Sequence, residues 1–184
     1  MGYAGCSPQN LRDYRKEEWI AHGTEANLKS LGYRLLATEG FFVQRLRRIP
    51  KPQTPTSIEW VRTPDLAARL GKVTRTRPIS NMLGDEAPFR QYVALDGGDI
   101  VGRVRSVDAA GATWCADMYV HPAHRRRGIG LALLSKMLRD DGARGSRGSV
   151  LTASHSGALL YPRLGYERIG TLLMFVPRPR ASGA

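Results

Sequence analysis

The sequence HPAHRRRGIGLALL, residues 121–134, places three consecutive arginines directly before Gly128-Ile129-Gly130. The run before it, ATWCADMYV, is typical of a β-strand, and the run IGLALLSKML repeats apolar residues at helical spacing. A helix is therefore expected to begin at the glycines. In the first turn of a helix the N–H groups have no intrahelical partners, and the helix dipole adds partial positive charge there.

Two interpretations of this stretch differ in the ligand. Helix starts bind anions, and glycines remove the Cβ atoms that would keep a phosphate away from the backbone. This favours a cradle for one phosphorylated small molecule. The alternative is a basic patch that binds nucleic acid, because the formal net charge is +12. However, 23 of the 28 basic residues are arginine and they are spread along the whole chain, so the charge alone does not favour nucleic acid.

The segments around the stretch predict an α/β domain. RQYVALD and DIVGRVRSV flank Gly97-Gly98, which is the pattern of a β-hairpin, and ATWCADMYV continues as a third strand. Gly142 is expected to end the helix. The remaining segments are predicted as a strand (SVLTAS), a short helix (SGALLYPRL) and one bent strand or two short ones (YERIGTLLMFV).

The N-terminal part carries weaker signals. Ser7-Pro8 has the pattern of a helix start and predicts a helix to about Leu31. YRLLATEGFFVQRLRR, residues 33–48, is interpreted as a hairpin that turns at Glu39-Gly40. The proline-rich connector IPKPQTPTS follows it.

A second helix is predicted after this connector. Thr63-Pro64 repeats the helix-start pattern, and Leu66, Ala67 and Leu70 form its apolar stripe. Gly71 is expected to stop this helix.

MYVHPAHRRRGIGLALL resembles the acetyl-CoA motif of the GNAT superfamily of N-acyltransferases, whose glutamine or arginine and two glycines are matched by Arg125, Gly128 and Gly130. ALLYPRLGY resembles a later motif of that family, and its Tyr161 lies 36 residues after Arg125. The resemblance covers about residues 89–176. It implies a mixed, mostly antiparallel central sheet flanked by helices, here with an N-terminal helical arm.

The resemblance implies an N-acetyltransferase that moves an acetyl group from acetyl-CoA, its co-substrate, to a primary amine by direct attack in a ternary complex. Tyr161 would act as the acid that protonates the departing thiolate. Strand backbone would hold the pantetheine arm, and the helix start would hold the pyrophosphate. The implied binding residues are Met118, Tyr119, Val120, Arg125, Arg126, Arg127, Gly128, Ile129, Gly130 and Leu131.

The general base departs from the family pattern. Many members carry a glutamate on the strand before the motif, where this chain has Trp114. Asp117 matches a carboxylate of some relatives and is the candidate catalytic base. The alternative is that Asp117 pairs with Arg103 or Arg105 on the neighbouring strand.

These assignments divide the chain into four parts: an N-terminal helix and hairpin (1–48), a connector with an acceptor-side helix (49–88), the acetyl-CoA-binding core (89–176) and a disordered tail (177–184). Two further functions stay open. One is a non-catalytic acyl-CoA-binding sensor or partner module, which the lack of a clear base glutamate supports. The other is a basic nucleic-acid- or ribosome-associated protein, which only the charge supports.

Composition restricts the remaining classes. No run approaches the roughly 20 apolar residues that span a bilayer, the first ten residues lack the regions of a signal peptide, and two cysteines do not make a disulfide scaffold. These features predict a cytoplasmic protein without a membrane partner. Four histidines and two cysteines show no metal-ligand spacing. The acceptor is expected to be a small-molecule or peptide amine, and the sequence leaves open whether the protein forms a homodimer.

Overall fold

The structure, a computed structural model, describes residues 20–79, 81–154 and 157–178. In chain order its helices and longer strands are α1 (Ile20–Ser30), β1 (Tyr33–Gln44), β2 (Ser57–Trp60), α2 (Pro64–Thr74), β3 (Phe89–Asp96), β4 (Asp99–Ala109), β5 (Ala112–Val120), α3 (Ile129–Ala143), β6 (Ser149–Ala153) and β7 (Glu167–Pro177). The helix start predicted at residues 7–8 and the tail beyond residue 178 lie outside the described residues.

Seven strands form one sheet in the order β2-β3-β4-β5-β6-β1-β7. β5 and β6 are parallel, and the other neighbouring pairs are antiparallel. This is the mixed, mostly antiparallel α/β sheet that was expected. The hairpin at Gly97-Gly98 is confirmed, since β3 and β4 pair up to Asp96 and Asp99.

Helices cover both faces of the sheet. Tyr92 and Val93 are neighbours on β3, so their side chains point to opposite faces. Tyr92 belongs to the larger core cluster, with Leu133 and Met137 of α3. Val93 belongs to the smaller cluster, with Leu66, Ala67 and Leu70 of α2. The apolar stripes predicted for these two helices are thus the surfaces that hold them on the sheet.

The predicted hairpin in residues 33–48 is wrong. β1 is one strand of twelve residues that pairs with β6 on one edge and with β7 on the other. Gly40 does not turn the chain: it lies opposite Ala153 of β6 and Thr171 of β7. A Cβ at Gly40 would come within 2.7 Å of the Phe42 ring, so this glycine makes room inside the strand.

The predicted end of α2 is also wrong. The helix begins as expected, with the Thr63 hydroxyl accepting from the Leu66 N–H at 3.2 Å, but it continues past Gly71 to Thr74. A Cβ at Gly71 would lie 2.9 Å from the Thr76 carbonyl oxygen, so this glycine serves close packing. Arg75, at φ +54°, ends the helix in the left-handed conformation.

Three further features differ from the sequence analysis. β2, which begins at the last residue of the connector and pairs with β3, was not predicted. The short helix predicted from SGALLYPRL is two 3₁₀ helices, Gly157–Leu159 and Tyr161–Leu164. α3 ends at Ala143, one residue beyond the expected Gly142. The last segment is a single strand, β7, with irregular pairing to β1.

Candidate active site

β5 and β6 run side by side only where they begin. Among the described residues, the pairs between them join Thr113 to Ser149 and Trp114 to Val150, and no later residue of β5 pairs with β6. β6 uses its other edge for β1. Beyond Trp114, β5 therefore has a sheet partner on the β4 side alone. A gap opens between β5 and β6, and the unpaired edges of both strands line it.

The first turn of α3 lies against the C-terminal end of β5. A Cβ built on Gly130 would come within 3.0 Å of Met118 Cε, 3.3 Å of Leu160 Cδ2 and 3.7 Å of Val120 Cγ2. Since any larger residue at 130 would have to displace these side chains, Gly130 allows the helix to begin beside the gap. The structure thus brings together the strand and the glycines that the sequence analysis assigned to one ligand.

The start of α3 lies close to the connector, whose Gln53 carbonyl oxygen would be 3.7 Å from a Cβ at Gly128. Gly128 is the N-cap at φ +77°, a conformation that L side chains rarely adopt, and no side chain caps the helix. The helical ladder begins with the Ala132 N–H, which donates to the Gly128 carbonyl at 3.0 Å. The N–H groups of residues 129–131 precede this bond and are the unpaired donors that an anion would accept from.

The three arginines before the glycines have different surroundings. Arg125 Nε donates to the Val120 carbonyl at 3.0 Å, which holds the turn to the end of β5. Arg127 is paired with Asp96 at 3.0 Å. Arg126, exposed and at φ +61°, has no hydrogen bond or ion pair within the described part of the chain. Arg125 and Arg126 therefore keep charges that no described carboxylate balances, and of the two only Arg126 has a guanidinium without a hydrogen bond to a described residue.

Asp117 lies at a bulge of β5. The pairing of β4 with β5 slips between Arg103 and Arg105, and Asp117 has φ +51°. Both of its carboxylate oxygens accept from Arg103, at 2.8 and 2.9 Å, and Arg105 Nη2 lies 3.1 Å away. The ion pair that the sequence analysis kept as an alternative is therefore present, and the carboxylate is occupied on both oxygens.

Tyr161 lies at the other side of the gap, in the larger core cluster, with 7% of its surface exposed. Its ring centroid is 5.9 Å from that of Phe42 on β1 and 5.7 Å from that of Tyr166. Burial raises the pKa of Tyr161, and the negative charge of Glu39 on β1 raises it further. The phenol therefore keeps its proton at neutral pH.

Glu39 is a carboxylate that the sequence analysis missed, because it was interpreted as part of a turn. It is half-buried on β1, next to Gly40, which lies opposite the last residue of β6. Its carboxylate has no hydrogen bond or ion pair to a described residue, and its charge acts on Tyr161. An uninterrupted β1 would have been the signal, since it brings residue 39 to the end of β6.

Around the gap, the described residues do not favour a cysteine nucleophile or a metal ion. Cys115 is buried on β5, and burial raises the pKa of its thiol, so it is held as the unreactive neutral form. Trp114, which occupies the position of the glutamate in many relatives, stacks on Phe41 with ring centroids 6.4 Å apart. Within the described residues no group of three histidine, cysteine or carboxylate side chains is arranged to hold a metal ion.

Comparison with known proteins agrees with this geometry. Residues 88–168 match a family model described as an acetyltransferase (GNAT) domain. No sequence among curated proteins matches the chain. The matched segment begins at the residue before β3 and ends in β7, so it includes the gap, the start of α3 and Tyr161.

Solved structures share the fold. A GCN5-related N-acetyltransferase from Sphaerobacter thermophilus is 24% identical, with a TM-score of 0.66 over 85% of this chain and 56% of that chain. One from Kribbella flavida is 18% identical, with a TM-score of 0.66 over 84% and 63%. An aminoglycoside acetyltransferase from an uncultured soil metagenomic sample is 24% identical, with a TM-score of 0.54 over 67% and 98%. These identities establish the fold alone, and the chain spans about three fifths of the first two proteins.

Proposed function

We propose that this chain, which carries a GNAT acetyltransferase domain over residues 88–168, moves an acetyl group from acetyl-CoA to a primary amine by direct attack in a ternary complex. One observation carries the proposal: β5 and β6 separate where α3 begins, so an open strand edge leads away from an uncapped helix start. A pyrophosphate suits the helix start, and an extended arm with amide groups suits the strand edge.

The residues at these two features suit the co-substrate. The N–H groups of residues 129–131 donate to the pyrophosphate, with Arg126 beside them, and Gly128 adds no side chain where the Gln53 carbonyl of the connector approaches. The backbone of Met118, Tyr119 and Val120 bonds to the pantetheine arm as an added strand would. When bound, acetyl-CoA supplies the acetyl group as a thioester.

Two side chains handle the protons in this proposal. The Tyr161 hydroxyl, kept protonated by burial, donates to the sulfur that leaves. Glu39 takes the proton that the amine must lose, because its carboxylate is unpaired in the described part of the chain. Asp117 then has a positioning role, since its two bonds to Arg103 hold the β5 bulge beside the gap.

The acceptor class is a small-molecule or peptide amine. The sheet face opposite α3 presents the stacked rings of Phe41 and Trp114, together with the Arg103–Asp117 pair, as the surface on which an amine can approach the gap. Aminoglycosides belong among the candidates because one structure with this fold carries that substrate in its name. A cytoplasmic location is part of the proposal and is supported by the low cysteine content. Among the described helices, none has both the length and the apolar character to cross a membrane.

The test has two steps. Calorimetry measures acetyl-CoA binding, for which we expect one saturable site. A thiol-release assay then screens amines, amino acids, aminoglycosides and peptides, for which we expect turnover with at least one class. Saturable binding without turnover on any class would support the alternative of a non-catalytic acyl-CoA-binding module, which the tryptophan at position 114 favours. No binding of acetyl-CoA would reject both.

A further inference from the structure

A groove of about 580 Å³ lies between residues 45–49, which follow β1, and the C-terminal half of α3. Its walls include four arginines, Arg45, Arg47, Arg139 and Arg147, and we call it the arginine groove. Among the described residues no carboxylate and no aromatic ring lines it, and its remaining surface includes three aliphatic side chains. Four arginines around one space create a positive potential there, which attracts an anion.

The arginine groove is separate from the proposed acetyl-CoA site. Arg139 lies nine residues after Gly130 on α3, which corresponds to roughly 13 Å along the helix axis. The residues of the groove come from the connector, from the last turns of α3 and from the turn before β6. None of them belongs to the first turn of α3, so the groove is a second location on the same helix.

Contacts in the groove hold the arginines without neutralising them. Arg139 Nη1 donates to the Pro50 carbonyl at 2.9 Å, and Arg147 Nη2 donates to the Ala110 carbonyl at 3.3 Å. Both acceptors are neutral, so both positive charges remain. Arg45 and Arg47 are exposed and have no hydrogen bond or ion pair to a described residue.

The backbone of residues 45–49 has an unusual conformation beside the groove. Leu46 and Arg48 both have φ +54°, a conformation rarely adopted by residues with side chains. Leu46 packs on α3 where the helix has no side chain, since a Cβ at Gly142 would lie 3.7 Å from Leu46 Cβ. An unfavourable backbone that persists at a charged groove points to a functional constraint on this segment.

We propose that the arginine groove binds a small anion with several adjacent phosphates, either an inorganic polyphosphate or the triphosphate of a nucleoside. Guanidinium groups match phosphate oxygens in pairs, and the volume falls within the range of small-ligand sites, roughly 300–1,000 Å³. A single nucleic-acid strand fits less well, because the groove has no aromatic ring on which bases could stack.

The test uses tripolyphosphate and a nucleoside triphosphate as probes, titrated calorimetrically into the full chain with and without saturating CoA. We expect one site for either probe when saturating CoA fills the proposed cradle. Arg45→Glu with Arg47→Glu should weaken binding by about tenfold or more, because each lost charged hydrogen bond is worth about that factor. The control is Arg34→Glu with Arg77→Glu, which makes the same change in net charge at exposed positions outside the groove. It should weaken probe binding less than about twofold.

The outcomes separate this site from the proposed function. If the nucleoside triphosphate binds more tightly than tripolyphosphate, the ligand is the triphosphate of a nucleoside. If the two probes bind equally, the ligand is an inorganic polyphosphate. Gly128→Glu should leave tripolyphosphate affinity unchanged, whatever its effect on acetyl-CoA. Equal losses in the two double variants, competition by CoA, or absence of binding would overturn the proposal. So would tighter, length-dependent binding of a single-stranded oligonucleotide that needs Arg45 and Arg47.

Discussion

Arg90 of β3 and Asp141 of α3 form an ion pair in the interior, with Nη2 and Oδ1 3.0 Å apart and both side chains fully buried. Ser106 and Thr113 donate their hydroxyls to the same carboxylate, at 2.7 and 2.9 Å. Burial raises the pKa of Asp141, and the bonds from Ser106, Arg90 and Thr113 oppose that shift. The cluster ties three strands to the C-terminal half of α3, so it fixes the helix whose first turn forms the proposed cradle.

Asp141→Ala should destabilise the fold by about 2–4 kcal/mol, because it removes one of the two carboxylates that pair with the buried Arg90, Asp108 being the other, and leaves the Ser106 and Thr113 hydroxyls without their acceptor. Asp140→Ala is the matched control at the next position, since Asp140 pairs with Lys136 near the surface and should cost less than about 1 kcal/mol. Urea unfolding measures both, with Asp141→Asn as the milder variant if the alanine protein does not fold. Equal losses at the two positions would show that the buried pair does not hold the helix.

Gly128→Glu should weaken acetyl-CoA binding by about 100-fold or more, because it places a negative charge where the pyrophosphate is proposed to bind. Gly32→Glu is the control for backbone strain. Gly32 has φ +83°, close to the +77° of Gly128, and a Cβ at Gly32 would meet no atom within 4 Å. Calorimetry on both folded variants should show the loss at position 128 alone. A loss of affinity in both variants would indicate backbone strain. Normal affinity in both would contradict the proposed pyrophosphate site at the start of α3.

Most of the fold from Phe89 onward could be predicted from the sequence, because its signals are local. The hairpin at Gly97-Gly98, the strand before residue 121 and the apolar face of α3 each depend on residues close together in the chain. β1 could not be predicted in the same way. Its interior glycine has the local pattern of a turn, and only its pairing with β6 and β7, more than 100 residues later, shows that it is a strand.

The candidate site was likewise predicted only where its residues belong to local patterns. The glycines and Tyr161 were found because they belong to motifs, and the pairing of Asp117 followed from strand neighbours. The gap itself results from two strands that stop pairing after Trp114, which no local pattern records. Glu39 reaches the end of β6 only through the sheet order, so sequence reasoning passed over it.

Glu39→Gln should lower turnover by about 100-fold, in the range of a lost general base. Asp117→Asn should lower turnover less than about threefold but reduce stability by about 1 kcal/mol, because it weakens bonds to Arg103. Steady-state kinetics and urea unfolding measure the two effects. The reverse pattern would make Asp117 the base and leave Glu39 without a catalytic role.

Tyr161→Phe tests the acid, because it keeps the ring between Phe42 and Tyr166 and removes only the hydroxyl. Turnover should fall by roughly 10- to 1,000-fold, with acetyl-CoA affinity and stability almost unchanged. Tyr166→Phe is the matched control. Its hydroxyl lies 2.8 Å from Ser149 Oγ in the core, so its removal should cost about 1 kcal/mol of stability and little turnover.

The two tyrosines separate catalysis from packing because their rings are in contact and both are buried. A structural role for the Tyr161 hydroxyl would appear as a stability loss like that of Tyr166→Phe, with turnover falling only as folded protein falls. A catalytic role would appear as lost turnover in fully folded protein. Acetylation at the normal rate by Tyr161→Phe would mean that the thiolate leaves without this proton, and water at the gap would then be the donor.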